Sequence, residues 1–431
     1  MATNAKNIAE LLNTDTTVAV GDIADGSVTT AKLASNAVTT AKIVDDAVSS
    51  AKLFAENLGR RNLIINGGMT VAQRGTSSTG VGYQTVDRFG VNQSNFDNLV
   101  STKTQDTNVP VGFSKSLKLA TTTAETALAA DEYGNMSYAI EAQDLQSLAY
   151  GTSSAKSFTL SFYVKSNLTG NFSVTAYKQT GSNKQQDRRY TINTTNTWER
   201  KTLTFVGDTA QAIVNDNTVG IYLYWHTAFG SNFGTATYNA SAGWSAYANA
   251  GWGAGQDINT LYNSTSNYIQ FTGIQLEVGD TVTDFEHRSF QEELDLCHRY
   301  FYNGITSNGS GTYSAFPINF RNFVSTGNNG HMAFTVALPK PMRTIPTFTH
   351  DLANSNHAGS GVSVNANNWQ FYLQNQGWGT FAGNGNMNTL SRQGGGDAQM
   401  QIGTYYITPN ATSYDQLTVG SNRKFHFSSE L

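Results

Sequence analysis

Residues 158–166 read FTLSFYVKS, and their alternation decides the fold class. Phe158, Leu160, Phe162 and Val164 point one way, and Thr159, Ser161, Tyr163 and Lys165 the other. That period of two belongs to a half-buried β-strand. The stretch 220–225, GIYLYW, repeats the pattern with Ile221, Leu223 and Trp225. Four more stretches read as strands: NLIINGGMTVAQRG (62–75), FSVTAYKQ (172–179), TWERKTLTFVG (197–207) and YIQFTGIQLEVG (268–279). In the last of these the apolar phase flips at Gly273, which predicts a β-bulge there. Many strands, turn residues between them and almost no helix signal predict a β-sandwich from about Arg60 to Phe290.

Composition agrees. Of 431 residues 13% are charged, against about 25% in an average globular protein. With 20 Tyr, 23 Phe and 40 Gly, the chain reads as a turn-rich, mainly β protein with a neutral surface. A net charge of −4 exerts no long-range pull on nucleic acid or anionic lipid. The one basic cluster, Lys184 with Arg188 and Arg189, reads as a solvated strand end. A single cysteine, Cys297, excludes internal disulfides and multi-thiolate zinc sites, and is expected to be buried and inert. The first fifteen residues hold no long apolar run, so neither a signal peptide nor a membrane span is expected.

The stretch 25–53, DGSVTTAKLASNAVTTAKIVDDAVSSAKL, repeats every ten residues. Val28, Leu33, Val38, Ile43, Val48 and Leu53 recur at a spacing of five. One such unit cannot offset a backbone entropy of about 1–2 kcal/mol per residue. Three chains around one axis would bury these anchors together, so the strict spacing favours an oligomeric shaft over a disordered linker. Ahead of it, Ile8, Leu11 and Leu12 form a small apolar patch. It reads equally as a frayed helix or as a docking peg.

At Ser289 the pattern changes. SFQEELDLCHRYFY (289–302) has Ser289 and Glu292 in capping-box positions and Leu294, Cys297 and Phe301 on one face, predicting a connector helix of about three turns over 290–302. Glu292, Glu293 and Asp295 are explained by helix dipole and solvation rather than acid–base work. HMAFTVALPKPM (331–342), WQFYLQN (369–375) and KFHFSSEL (424–431) then alternate again. They mark a smaller C-terminal β-sandwich over 303–431, with the final residues tied into a sheet.

RNLIINGGMTVAQRG (61–75), TVDRF (85–89), FTGIQLEVGDTVTDFEHRSFQEELDLCHRYF (271–301), FPINF (316–320) and PMRTIPTFT (341–349) resemble phage tail-fibre proteins. NIAELLN (7–13) and the VTTAKLA repeats resemble the virion-proximal end of such fibres. The resemblance implies a homotrimeric, non-enzymatic adhesin carried on the virion, made in the host cytoplasm without a signal peptide. Its parts would be a virion-attachment segment (1–24) docking to a tail or baseplate protein through Ile8, Leu11 and Leu12, and a trimeric decapeptide shaft (25–58). A jelly-roll β-sandwich similar to carbohydrate-binding modules (59–289), the connector helix (290–302) and a distal receptor-binding β domain (303–431) would follow. The implied ligand is a host-surface glycan, polysaccharide or lipopolysaccharide. The attachment segment is much shorter than in the fibres of short-tailed phages, which leaves its docking partner open.

Sugar rings are gripped by aromatic faces and by planar amides. The long insertion 226–267 carries Trp244, Tyr247, Trp252 and Tyr262 among Gly, Ala and Asn, so Trp244, Tyr247 and Trp252 are candidate contacts. The competing reading folds this loop over the sandwich and packs its tryptophans inward. In the C-terminal part, Trp369 shares the phase of Phe371 and Leu373 and reads as core. Tyr372 points the other way, while Trp378 and Phe381 read as loop aromatics, giving a second candidate set. No HxH or HExxH occurs and no cofactor is implied, although oxygen ligands suffice for a structural Ca²⁺. Two other functions stay in view. One is a tailspike-type depolymerase, needing two carboxylates across a groove; the other is a purely structural connector carrying another adhesin.

Overall fold

The computed structural model describes residues 60–179, 181–257, 260–303, 318–326, 329–337, 339–344, 347–350, 362–364, 369–373, 377–380, 385–387, 390–392, 399–407, 416–419 and 425–431. The docking residues Ile8, Leu11 and Leu12, the shaft residues Val28 to Leu53, and Phe381 lie outside them.

Two six-stranded antiparallel sheets form a jelly-roll sandwich. The first runs in the order β1 (Ser77–Ser78), β3 (Val100–Asp106), β4 (Ser116–Thr123), β12 (Tyr268–Val278), β6 (Phe158–Ser166), β9 (Glu199–Phe205). The second runs β11 (Ser245–Ala246), β8 (Lys184–Ile192), β7 (Gly170–Lys178), β10 (Val219–Phe229), β5 (Tyr133–Glu141), β2 (Gly90–Ser94). The apolar phase of FTLSFYVKS lines the core, with Phe158, Leu160, Phe162 and Val164 all 0% exposed. Phe162 meets Trp225 and Tyr190 of the facing sheet edge-on, at centroid distances of 6.0 and 5.1 Å. Burying such a ring contributes about 2–3 kcal/mol.

The phase flip in β12 is a bulge: the pairing with β6 shifts register between Thr272 and Gln275. Gly273 has φ +60°, and a Cβ there would lie 2.6 Å from the Phe113 ring. The bulge leaves backbone groups without ladder partners, and residues 62–67 satisfy them. Asn62 donates from Nδ2 to the Ile274 carbonyl (3.2 Å), its Oδ1 accepts from Leu276 N–H (3.0 Å), and Ile274 N–H reaches the Gly67 carbonyl (3.0 Å). This corrects the reading of NLIINGGMTVAQRG as a strand. Its alternation serves a side-chain-bonded wrap, not a ladder.

The α-helix α1 spans Phe290–Cys297, and Ser289 Oγ accepts from Glu292 N–H at 3.2 Å. It is shorter than the expected 290–302. Beyond Cys297 the chain turns, and Phe301–Asn303 forms β13, because an aromatic run with a strand partner gains more as ladder than as helix. Glu293 is buried, accepting from Asn66 N–H (2.6 Å) and pairing with Arg288 (3.2 Å), so solvation does not account for it. Cys297 is fully buried, and burial pushes its thiol well up. Of the basic cluster only Arg189 is solvent-exposed. Arg188 is 6% exposed and donates to Thr204 O and Gln186 Oε1 (both 2.7 Å), while Lys184 pairs with Asp208 at 2.9 Å.

The C-terminal strands are β14 (Ile318–Thr326), β15 (Asn329–Ala337), β16 (Thr347–His350), β17 (Val362–Val364), β18 (Trp369–Leu373) and β19 (Gly377–Thr380), then β20 (Gly385–Met387), β21 (Leu390–Arg392), β22 (Gln399–Ile407), β23 (Gln416–Val419) and β24 (Phe425–Ser428). They pair antiparallel as β13-β24-β16, β14-β15-β22-β21, β17-β20 and β19-β18-β23. The residues after β24 return to the jelly roll. Glu430 pairs with Arg74 (3.1 Å) and Arg88 (2.5 Å). Arg88 is 1% exposed, with its guanidinium 3.4 Å from the Tyr300 ring centroid. Nearby, Arg299 grips Glu141 through two bonds of 2.6 and 2.7 Å.

Candidate functional site: a tyrosine face on the second sheet

A strand that buries one phase presents the other. On the outer face of the second sheet, registers align three rows. Tyr177, Tyr222 and Ala139 form one; Asp187, Thr175, Tyr224, Ser137 and Gly90 the next; Asn135 lies between His226 and Asn92 in the third. Tyr222 and Tyr224 stand half-buried with rings stacked, centroids 5.4 Å apart at 22°. Their hydroxyls and that of Tyr177 make no hydrogen bond among the described residues. The floor beside them is small. A Cβ on Gly90 would come within 2.9 Å of Ser137 Oγ, and Asn92 Nδ2 donates to Asn135 Oδ1 (3.0 Å) and Ser137 Oγ (3.2 Å). Asn135 Nδ2 is buried without a partner.

The long loop after β10 is strapped onto this face. Gly253 N–H donates to Asp187 Oδ1 (3.0 Å), Ser173 Oγ donates to Gly253 O (3.1 Å), and Ala248 N–H reaches Gln185 Oε1 (3.3 Å). Gly253 has φ +78°, and a Cβ there would stand 2.5 Å from the Phe229 ring, so only glycine fits. The strap sets Trp252 between strands, 4.7 Å from Tyr224 and 5.8 Å from Tyr177 by centroid, edge-on to His226 (5.2 Å) and Tyr247 (5.5 Å).

Beneath Trp252 the chemistry is buried. Thr175 Oγ1 donates to Asp187 and lies 2.8 Å from His226 Nε2. Burial lowers His226 to about 3, and burial raises Asp187 to about 6 against hydrogen bonds from Thr175 and Gly253. Burial also raises Tyr222 and Tyr247, so the open part of the face is uncharged at neutral pH.

Of the residues singled out in sequence, Trp252 is buried at 7% exposure, as the inward-packing reading has it, and Tyr247 is 39% exposed, its hydroxyl donating to Asn249 (2.8 Å). Trp244 is half-buried at the rim of the core, with Nε1 donating to Val206 O (2.8 Å) and its ring edge-on to Tyr150. Tyr262 is buried. Tyr372 and Trp378 are register partners in β18 and β19. Trp378 therefore belongs to a strand and not to a loop. Two of that strand's four residues are glycines, which hides a period of two. The sequence reading missed Tyr177, Tyr222 and Tyr224, although the outward phase of GIYLYW being tyrosine was a visible signal. Tyr83, Asn92 and Ser137 carried none. Among the described residues, no group of three or more His, Cys, Asp or Glu gathers to hold a metal, and no helix is long and apolar enough to cross a membrane.

No protein-family model matches the chain, and no curated protein does. Similar solved structures include the enzymatically active domain of tailspike protein 4 of bacteriophage CBA120 (TM-score 0.27, 13% identity, 50% of this chain and 21% of that one). Another is the family 11 carbohydrate-binding module of the cellulosomal cellulase Lic26A-Cel5E of Clostridium thermocellum (TM-score 0.23, 10% identity, 49% and 98%). A third is the tripod from the baseplate of bacteriophage Tuc2009 (TM-score 0.23, 11% identity, 64% and 84%). The chain spans about one fifth of the tailspike domain it is similar to.

Proposed function

We propose that this chain is a non-catalytic glycan-binding adhesin of a phage tail fibre, working as a homotrimer on the virion. The stacked, half-exposed Tyr222–Tyr224 pair with unbonded hydroxyls carries this reading. Aromatic faces take the apolar side of a sugar ring, while Tyr, Ser and Asn groups meet its hydroxyls. The repeats at 25–53 and the tail-fibre motifs supply the virion setting. One shallow site of millimolar Kd is worth about 4 kcal/mol, and three per trimer raise effective affinity by about 10²–10⁴. Trp252 supports the pair from the side with Tyr247, while Trp378, Tyr372 and Phe381 form a second candidate set in the C-terminal domain.

A glycan-array screen of the full chain and its Tyr224→Ala and Trp378→Ala variants tests this. Tyr224→Ala should weaken binding by about 2 kcal/mol, roughly thirtyfold in Kd, with Trp378→Ala unchanged. Loss confined to Trp378→Ala would move the site to the C-terminal domain. New reducing ends from host polysaccharide would make the protein a depolymerase instead.

A further inference from the structure

We propose that the outer face of the first sheet is a second binding site, for an acidic sugar, in which Lys118 and Lys165 meet the charge across Gln270. β12 packs Ile269 and Phe271 inward at 0% exposure, so Tyr268, Gln270 and Thr272 face out. Registers set Thr104 of β3, Lys118 of β4, Gln270 of β12 and Lys165 of β6 in one row across this face. Neighbouring strands stand about 4.8 Å apart, which puts the two lysine backbones about 10 Å apart with Gln270 between them. Aromatic rings flank the row. The Lys118 ammonium lies 4.8 Å from the Tyr268 ring centroid, and the Tyr268 hydroxyl donates to Asn196 Oδ1 (2.5 Å). On the other side Lys165 Nζ (3.0 Å) and the Trp198 indole N–H (3.2 Å) share Asn108 Oδ1 as acceptor. Tyr268 and Trp198 are both half-buried.

Charge sets this row apart. Lys178 and Lys184 share Asp208, and Lys201 has Glu199. Among the described residues neither Lys118 nor Lys165 pairs with a carboxylate; one has a ring face and the other an amide oxygen. The neighbouring acids are committed elsewhere. Asp106 Oδ1 accepts from Asn108 N–H (2.7 Å), and Glu199 takes Lys201 with the N–H groups of Asn193 and Thr194. Between the lysines Gln270 is 2% exposed, and its Nε2 has no acceptor. Buried amides are nearly always hydrogen-bonded, so this donor between two unmatched ammonium groups calls for an anionic oxygen. A carboxylate or phosphate on a sugar ring supplies it, while Tyr268 and Trp198 offer faces to the ring. Two lysines suit one acidic group, and a chain of net charge −4 does not suit a long polyanion. The row lies on the opposite side of the sandwich from the tyrosine pair, so the two sites are separable.

The test is binding of the full chain to acidic oligosaccharides from bacterial surface polysaccharides, one set carboxylated and one phosphorylated. Each is measured beside its carboxyl-reduced or dephosphorylated counterpart. Acidic fragments should bind at least about tenfold more tightly than their neutral counterparts, and should weaken as salt rises. Lys118→Gln and Lys165→Gln should each cut that preference, and Tyr224→Ala should leave it unchanged. A preference within either set alone supports the proposal and names the acid. No preference for any acidic fragment, or one that survives in the double lysine variant, overturns it. A preference lost only in Tyr224→Ala also overturns it and moves the acid to the tyrosine face. An oligothymidine strand bound more tightly than every sugar, through the same lysines, replaces the sugar by nucleic acid.

Discussion

His226 sits at 0% exposure with only Thr175 for a partner. Burial holds it neutral down to about pH 3, whereas an unfolded histidine titrates near 6.5. Below 6.5 the unfolded chain therefore binds the extra proton, and the native state loses about 1.4 kcal/mol per pH unit until pH nears 3. Asp187, raised to about 6 by burial, acts with opposite sign below that pH. The difference between the protein and His226→Gln isolates the imidazole: the variant's urea midpoint should fall less between pH 6.5 and 4. An equal fall in both would mean His226 is not held neutral. At this scale sequence reading recovers what repeats locally. Tyr222 and Tyr224 occupy the outward phase of a strand already recognised. Tyr83 and Leu431 meet across 348 residues, and no local pattern reports such a pair.

Among the elements, β12 shows how a sequence irregularity becomes architecture. The phase flip at Gly273 is legible because a bulge must change which face the next residue takes. What fills the gap was not, since Asn62 lies 212 residues away in sequence from Ile274. Gly273→Ala combines left-handed strain with a clash at Phe113, and should destabilise the fold by about 2–4 kcal/mol, read from guanidinium unfolding. A change under half of that would mean the bulge relaxes around a methyl group. The helix α1 was foreseen at its start and not at its end. A capping box is a local signal, whereas the stop at Cys297 depends on β13 finding β24.

For the whole molecule, the last residues act as a clamp. Removing the Glu430 carboxylate strands the buried Arg88 charge, a loss of about 3–5 kcal/mol. Glu430→Ala should lower the thermal midpoint strongly, and Lys340→Ala, whose side chain is 44% exposed beside Asp295, much less. Equal effects would show that Arg88 finds another counter-charge. At the other end of the chain, the repeats carry apolar anchors with too little surface to fold singly. The full chain should sediment as a trimer and a piece spanning 59–431 as a monomer; a monomeric full chain at micromolar concentration removes the fibre reading. The sequence by itself determined the strands β6, β7, β9, β10 and β12, the bulge in the last of them and the start of the helix. Each follows from periodicity or capping within a few residues. Only the tertiary structure decided which outward residues share a face, that the long loop lays Trp252 against Tyr224, and that Glu430 and Leu431 return to Arg74, Arg88 and Tyr83. Those pairings join segments far apart in the chain, and packing of the two sheets, not local preference, brings them together.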